Sequence, residues 1–197
     1  MAAPTIQPGQ IKTGPGRILW APLGTTIPTF SVTASKITAT WTSWVEAGAT
    51  DAGMTYQEST DSSPIKVAET PYNIRSVVTG KAGSVAFAMN HVSDVNWKLA
   101  ANGGTITVTG TTTTKMSVFV PPLIGAEVRV MLAFLSLDED EAFIWPQVFN
   151  TGGIETERGA IDAKHGIPVS FDVEMPDPSV LTTPYKRITS GNLSQAT

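Results

Sequence analysis

Apolar and polar residues alternate with a period of two along most of the chain, the signature of strands that bury one face. In "ITATWTSWV" (37–45), Ile37, Ala39 and Trp41 fall on one side and Thr38, Thr40 and Thr42 on the other. "TFSVTA", "MTYQES", "IKVAE", "YNIRSVVT" and "SVAFAMN" read as further strands, with "GKAG" (80–83) as a turn between the last two. "TITVT", "KMSVFV" and "FIWPQVF" follow in the same style. "VRVMLAFLSL" (128–137) is apolar on both sides, as a strand at the centre of a sandwich or barrel must be. The last strand, "IPVSFDVEM" (167–175), has two faces. Val169, Phe171, Val173 and Met175 point one way, and Ser170, Asp172 and Glu174 the other.

One stretch breaks the alternation. "VSDVNWKLAANGG" (92–104) carries helix start and stop signals. Ser93 is a side-chain N-cap, and Val92 and Trp97 are placed to staple the first turn. Val95 and Leu99 share a face, and Gly103 suits a left-handed C-terminal residue. The spacing predicts a helix over about 93–102, too short to persist unless it lies on something apolar.

Both ends have a different texture. Residues 1–17 carry Pro4, Pro8, Pro15 and several glycines and read as an N-terminal arm. From Pro176 to Thr197 the chain turns polar and reads as a C-terminal arm. Residues 18–175 between them form a single domain with no repeat and no linker. "EAGATDAG" (46–53) reads as a loop, and 46–64 has the composition of a segment that orders on contact. The expected architecture is mainly β: a sandwich or barrel of two packed sheets, one short flanking helix, and extended arms.

Composition narrows the chemistry. The 197 residues are 41 % hydrophobic, enough for one buried core. Cysteine is absent, which excludes disulfides and thiolate metal sites. The N-terminus lacks the basic and apolar regions of a signal peptide, and 128–137 is too short to span a bilayer, so synthesis in the cytosol is expected. A net charge of −4 argues against tight nucleic-acid binding, which needs lysine and arginine to displace counterions from phosphates.

Catalytic patterns are missing. "GKAGS" lacks the spacing of a phosphate-binding loop, and neither a G-x-S-x-G elbow nor an H-E-x-x-H pair occurs. His91 and His165 alone cannot build a histidine-rich metal site, and nothing in the spacing assigns His165 to a nucleophile triad. "LDEDEAF" (137–143) lacks the glycine and spaced glutamate of a calcium loop and reads as a solvated hairpin turn. Trp20, Trp41, Trp44, Trp97 and Trp145 suit a core or subunit interface better than a sugar-stacking platform. No catalytic residue, cofactor or metal is expected.

The order of segments carries a resemblance. "GRILWAPLGTTIPT" precedes "WTSWVEAGATDAGMTYQEST", and then comes "IKVAETPYNIRSVVTGKAGSVAFAMNHVSDVNWKLAANGG". Over about residues 15–175 this resembles the major tail proteins, or tail tube proteins, of long non-contractile-tailed bacteriophages (siphophages), especially those infecting actinobacteria. The resemblance implies a sandwich with one flanking helix, six copies closing into a ring around a channel, and rings stacking into the tube that delivers DNA. It implies a structural virion protein of the tail, with other copies of itself, a tape measure protein and tail terminator and initiator proteins as partners. DNA would pass without specific binding, and no membrane would be involved.

An acidic wall would keep such a duplex sliding. Glu155, Glu157, Asp172 and Glu174 are the candidate lumen residues, although an outward solvated face explains them equally well. Glu46, Gly48, Asp51, Gly53 and Asp61 mark the candidate inter-ring or inter-subunit loop. Two other readings stand beside the tail tube: a carbohydrate-binding β-sandwich module, and the inner tube of a contractile injection system.

Overall fold

A computed structural model describes residues 16–66, 72–155 and 166–190, without the side chains of Asp51 and Ala52. The described residues begin with β1 (Gly16–Pro22), β2 (Ser31–Thr33), β3 (Lys36–Thr38) and β4 (Val45–Glu46). A long hairpin follows, β5 (Thr50–Ile65) and β6 (Arg75–Met89), then the helix α1 (Asp94–Ala100). The rest is β7 (Thr105–Thr109), β8 (Met116–Val120), β9 (Val130–Ser136), β10 (Glu141–Asn150), β11 (Ile167–Val173) and β12 (Lys186–Thr189).

Eight strands form one antiparallel sheet in the order β4-β1-β9-β10-β11-β6-β5, with β12 also on β10; β2–β3 and β7–β8 are separate two-stranded ribbons. The long sheet folds back at β10. Its first half pairs with β9 and β12 and its last three residues with β11, across an irregularity between Trp145 and Val148 that contains Pro146. Proline has no N–H for a ladder bond and is tolerated in a sheet where the pairing is already broken. The two halves then face each other as a sandwich around Trp20, Phe87, Leu132, Trp145 and Phe171, closed on one side by Leu99 and Ala100 of α1.

Strand β9 is buried on both faces as its sequence predicts. Val130 and Leu132 enter the main core. Met131 and Ala133 meet a second cluster on the far face, covered by Ile27, Phe30, Trp41 and Trp44, and Leu135 packs with Ile37. The 137–140 segment is the expected hairpin turn, with the Ser136 hydroxyl donating to Asp140 and accepting from the Asp140 and Glu141 amides.

Three expectations change, and one strand goes beyond them. The strand read over 37–45 is cut to Lys36–Thr38 and Val45–Glu46, with Ser43 at φ 65° turning the chain between them. "GKAG" is no turn: β6 runs straight through it, and the register slips by one residue where Asp61 faces Gly80 and Ser62 faces Val78. Gly83 admits Val173, which would stand 3.3 Å from an added Cβ. The segment after Pro176 is not wholly an arm, because β12 returns to pair with β10. And "GRILWAP", whose unbroken apolar run shows no alternation, is the inner strand β1.

The helix is shorter than predicted, and Asn102, at φ 54°, takes the left-handed position assigned to Gly103. The Asn102 and Gly103 amides donate to the Leu99 and Lys98 carbonyls, the paired closure that ends many helices. Ser93 caps the start by accepting from the Asn96 amide at 3.3 Å. The buried face is Asn96, Leu99 and Ala100; Val95 is exposed.

Candidate assembly surfaces

Strand β5 forms one end of the sheet, and among the described residues no strand pairs with its outer side. Sixteen residues of backbone donors and acceptors along such an edge are a template for another chain. At the other end of the sheet, β4 covers only Leu19 and Trp20 of β1.

Pairing also fixes which side chains share the outer face of β5, β6 and β11. Gln57, Ser84, Asp172 and, on β10, Phe149 lie in one cross-strand row. Thr55, Ala86 and Ser170 form the next row, and beyond them lie Ser59 with Ala82 and Asp61 with Gly80. This surface is built mostly of small and polar side chains, with Phe149 at its β10 end, and its only charges in those rows are Asp61 and Asp172, both exposed.

Arg129 reaches the border of this surface, but it is not free. Its guanidinium lies 4.9 Å from the Phe149 ring centre and donates to both carboxylate oxygens of Glu174, at 3.0 and 3.4 Å. The Gln147 amide donates to the same carboxylate at 2.8 Å. Arg129, more than Gln147, holds the Glu174 carboxyl below the usual range.

The other predicted residues separate. Asp172 and Glu174 stay together on the outer face. Glu155 is exposed beyond the end of β10, and Glu157 lies outside the described residues. Glu46 sits in β4, where Arg17 donates to both of its carboxylate oxygens at 3.2 and 2.9 Å. Gly48, at φ +82°, has a structural task, since a Cβ there would stand 2.9 Å from that of His91. Asp51, Gly53 and Asp61 belong to β5, so the segment read as a loop is mostly an edge strand.

A groove of about 610 Å³ opens on the inner side of the same sheet, bordered by Tyr56, Glu58, Lys81, Met175 and Tyr185. The Tyr56 hydroxyl and the Lys81 ammonium donate to Glu58 at 3.0 and 3.2 Å. Lys81 first, then Tyr56, holds the Glu58 carboxyl low, while burial and then Glu58 push the Tyr56 hydroxyl well above its ordinary value. Both groups are locked in one protonation state at neutral pH, which suits a fixed ion pair and not proton transfer.

Among the described residues no three His, Cys, Asp or Glu side chains group to hold a metal, and no helix is long and apolar enough to cross a membrane. Trp20, Trp44 and Trp145 are buried and Trp41 and Trp97 half-buried, so the tryptophans make core and not a sugar platform. Sequence reasoning missed the long edge and the outer face of β6. The signal was present in the alternation Gly80, Ala82, Ser84, Ala86, opposite Val85 and Phe87, but the glycines masked it.

A family model described as phage tail tube protein matches residues 6–174, most of the chain. No curated protein matches the sequence. The chain belongs to the phage tail tube protein family, a family of structural proteins of the virion tail that self-assemble into a tube.

Proposed function

We propose that this tail tube protein closes into a ring of identical copies, six by its resemblance to siphophage tail proteins, and that rings stack into the channel that delivers DNA. The observation that carries the reading is one sheet with two properties: a free 16-residue edge, and an outer face whose cross-strand rows from Thr55 to Asp61 carry no lysine or arginine, Arg75 lying beyond them on the distal hairpin. A head-to-tail contact along that edge repeats after a fixed rotation and closes, whereas a second contact along the axis extends without end. Asp51, Gly53 and Asp61 then act at a joint between subunits as parts of a strand, with Glu46 and Gly48 at its approach.

In this ring the outer face of β5, β6 and β11 lines the channel. Asp61 and Asp172 supply its negative charge, Glu155 and Glu157 remain further candidates, and Glu174 adds less because Arg129 neutralises it. Across the rows from Thr55 to Asp61 phosphates meet no cation to displace counterions against, so DNA slides. During assembly the same wall houses a tape measure protein, and terminator and initiator proteins cap the two ends. The chain is made in the host cytoplasm and belongs to a non-contractile tail.

Charge reversal tests the wall. Asp172→Lys changes an exposed side chain two strands in from the edge and is expected to leave folding and tube formation intact. Virions carrying it are expected to eject DNA several-fold more slowly, the more so at low salt where phosphate attraction is strongest. Unchanged ejection at low salt would place this face away from the DNA.

A further inference from the structure

Two ribbons carry apolar surface that neither the core nor the ring edge uses. The first is the distal part of the β5–β6 hairpin, beyond the irregularity at Asp61 and Ser62. Every described residue from Ser62 to Lys66 and from Tyr72 to Thr79 is exposed. The pairs Ser62–Val78 and Pro64–Ser76 place Pro64 and Val78 on one side, and the same alternation carries Ile74 and Lys66 to that side at the end of the described ribbon. Ile65, Arg75 and Val77 take the other side. A two-stranded ribbon bare on both faces is marginal in water.

The second ribbon is β7–β8. Its inner side, Ile106 and Phe119, is half-buried, and the ribbon lies against α1. Its outer side pairs Thr105, Thr107 and Thr109 with Val120, Val118 and Met116. The three apolar members are 55, 43 and 58 % exposed, and this side has no charge. The turn that follows leaves Leu123 and Ile124 exposed beside the same row, held by the Ala126 amide donating to the Leu123 carbonyl at 2.9 Å. Turn tips favour polar residues, so this exposure calls for a partner.

We propose that the Pro64–Ile74–Val78 side of the β5–β6 ribbon of one copy seats on the Met116–Val118–Val120 side of the β7–β8 ribbon of another. The inference rests on the tail tube reading, which supplies a second copy as the partner. The lengths match, since Ile74 to Val78 and Met116 to Val120 each cover four residue-to-residue steps, about 13 Å of strand. The chemistry matches as well: both sides are apolar with hydroxyls, and the one charge beside them, Lys66, lies at the end of the described ribbon, where its long stem can keep the ammonium in water. The two surfaces differ, so the contact is heterologous, the class that adds copies along an axis when its rotation does not close, as an axial joint must.

The absence of cysteine allows a clean test. Full-length chains carrying Ile74→Cys or Val78→Cys are mixed with chains carrying Met116→Cys, Val118→Cys or Val120→Cys, assembled into tubes and mildly oxidised. Disulfides need Cα atoms within about 7 Å, and the six combinations cover neighbouring registers. Dimers linked between the two kinds of chain are expected, at least tenfold more abundant than with Val77→Cys, which lies on the other side of the ribbon. Tubes without such dimers, or with equal linkage through Val77→Cys, would overturn the contact and leave the tail tube reading standing. A wild-type chain that forms neither ring nor tube would overturn both.

Discussion

Glu174 shows how much a single side chain depends on its surroundings. Alternation places it beside Asp172 on the outer face, and both looked like equal contributors to an acidic wall. Its partner Arg129 is 45 residues away in sequence and meets it only because β10 bends between β9 and β11. No spacing rule could have linked the two. The ion pair has a pH signature. The folded carboxyl titrates below its unfolded value, so its contribution is complete above about pH 4.3 and fades as pH falls through the folded pKa. Both side chains are partly exposed, at 46 and 30 %, and the contribution at pH 7 is no more than about 1 kcal/mol. Urea unfolding of wild type and Glu174→Gln should therefore differ at pH 7 and converge near pH 3. A gap unchanged at pH 3 would contradict the pairing.

At the scale of elements, α1 is attached through polar atoms as much as through Leu99. The Asn96 side-chain amide donates to the Ala47 and His91 carbonyls at 2.8 and 2.6 Å. The Asn102 side chain bridges to both the amide and the carbonyl of Asn150. The Asn150 side-chain nitrogen donates to the Ala100 carbonyl at 2.6 Å, and its side-chain oxygen accepts from the Ser170 backbone amide at 3.0 Å. Asn150→Ala would strip partners from buried backbone at the helix end and in β11, and is expected to cost about 2–4 kcal/mol, read by urea unfolding. A loss below about 1 kcal/mol would show that packing alone holds α1. The helix and its N-cap were legible in sequence because their signals are local. Its anchors were not, since asparagines at 96, 102 and 150 carry no pattern until the chain folds. The long hairpin was hidden for a related reason: Gly80 and Gly83 resemble a turn, yet one sits at a register slip and the other makes room for Val173.

At the scale of the whole molecule, the mainly β sandwich with one helix was readable because alternation and the two-faced run at 130–136 report burial directly. Strand order was not, because the chain does not state which distant strands become neighbours across the bend at β10. The acidic character of the face also emerged only from pairing: Asp61 and Asp172 join one surface through β6 lying between their strands. An exposed edge and a cation-poor face on the same sheet are liabilities or idle features in a monomer, and both acquire a use in a ring.

The central claim is tested most directly by electron cryomicroscopy of the purified chain at rising concentration. The account predicts stacked rings around an open channel, with β5 of each copy paired to its neighbour and Asp61 and Asp172 facing the lumen. A tube with that face turned outward, or a chain that stays monomeric at every concentration, would contradict it.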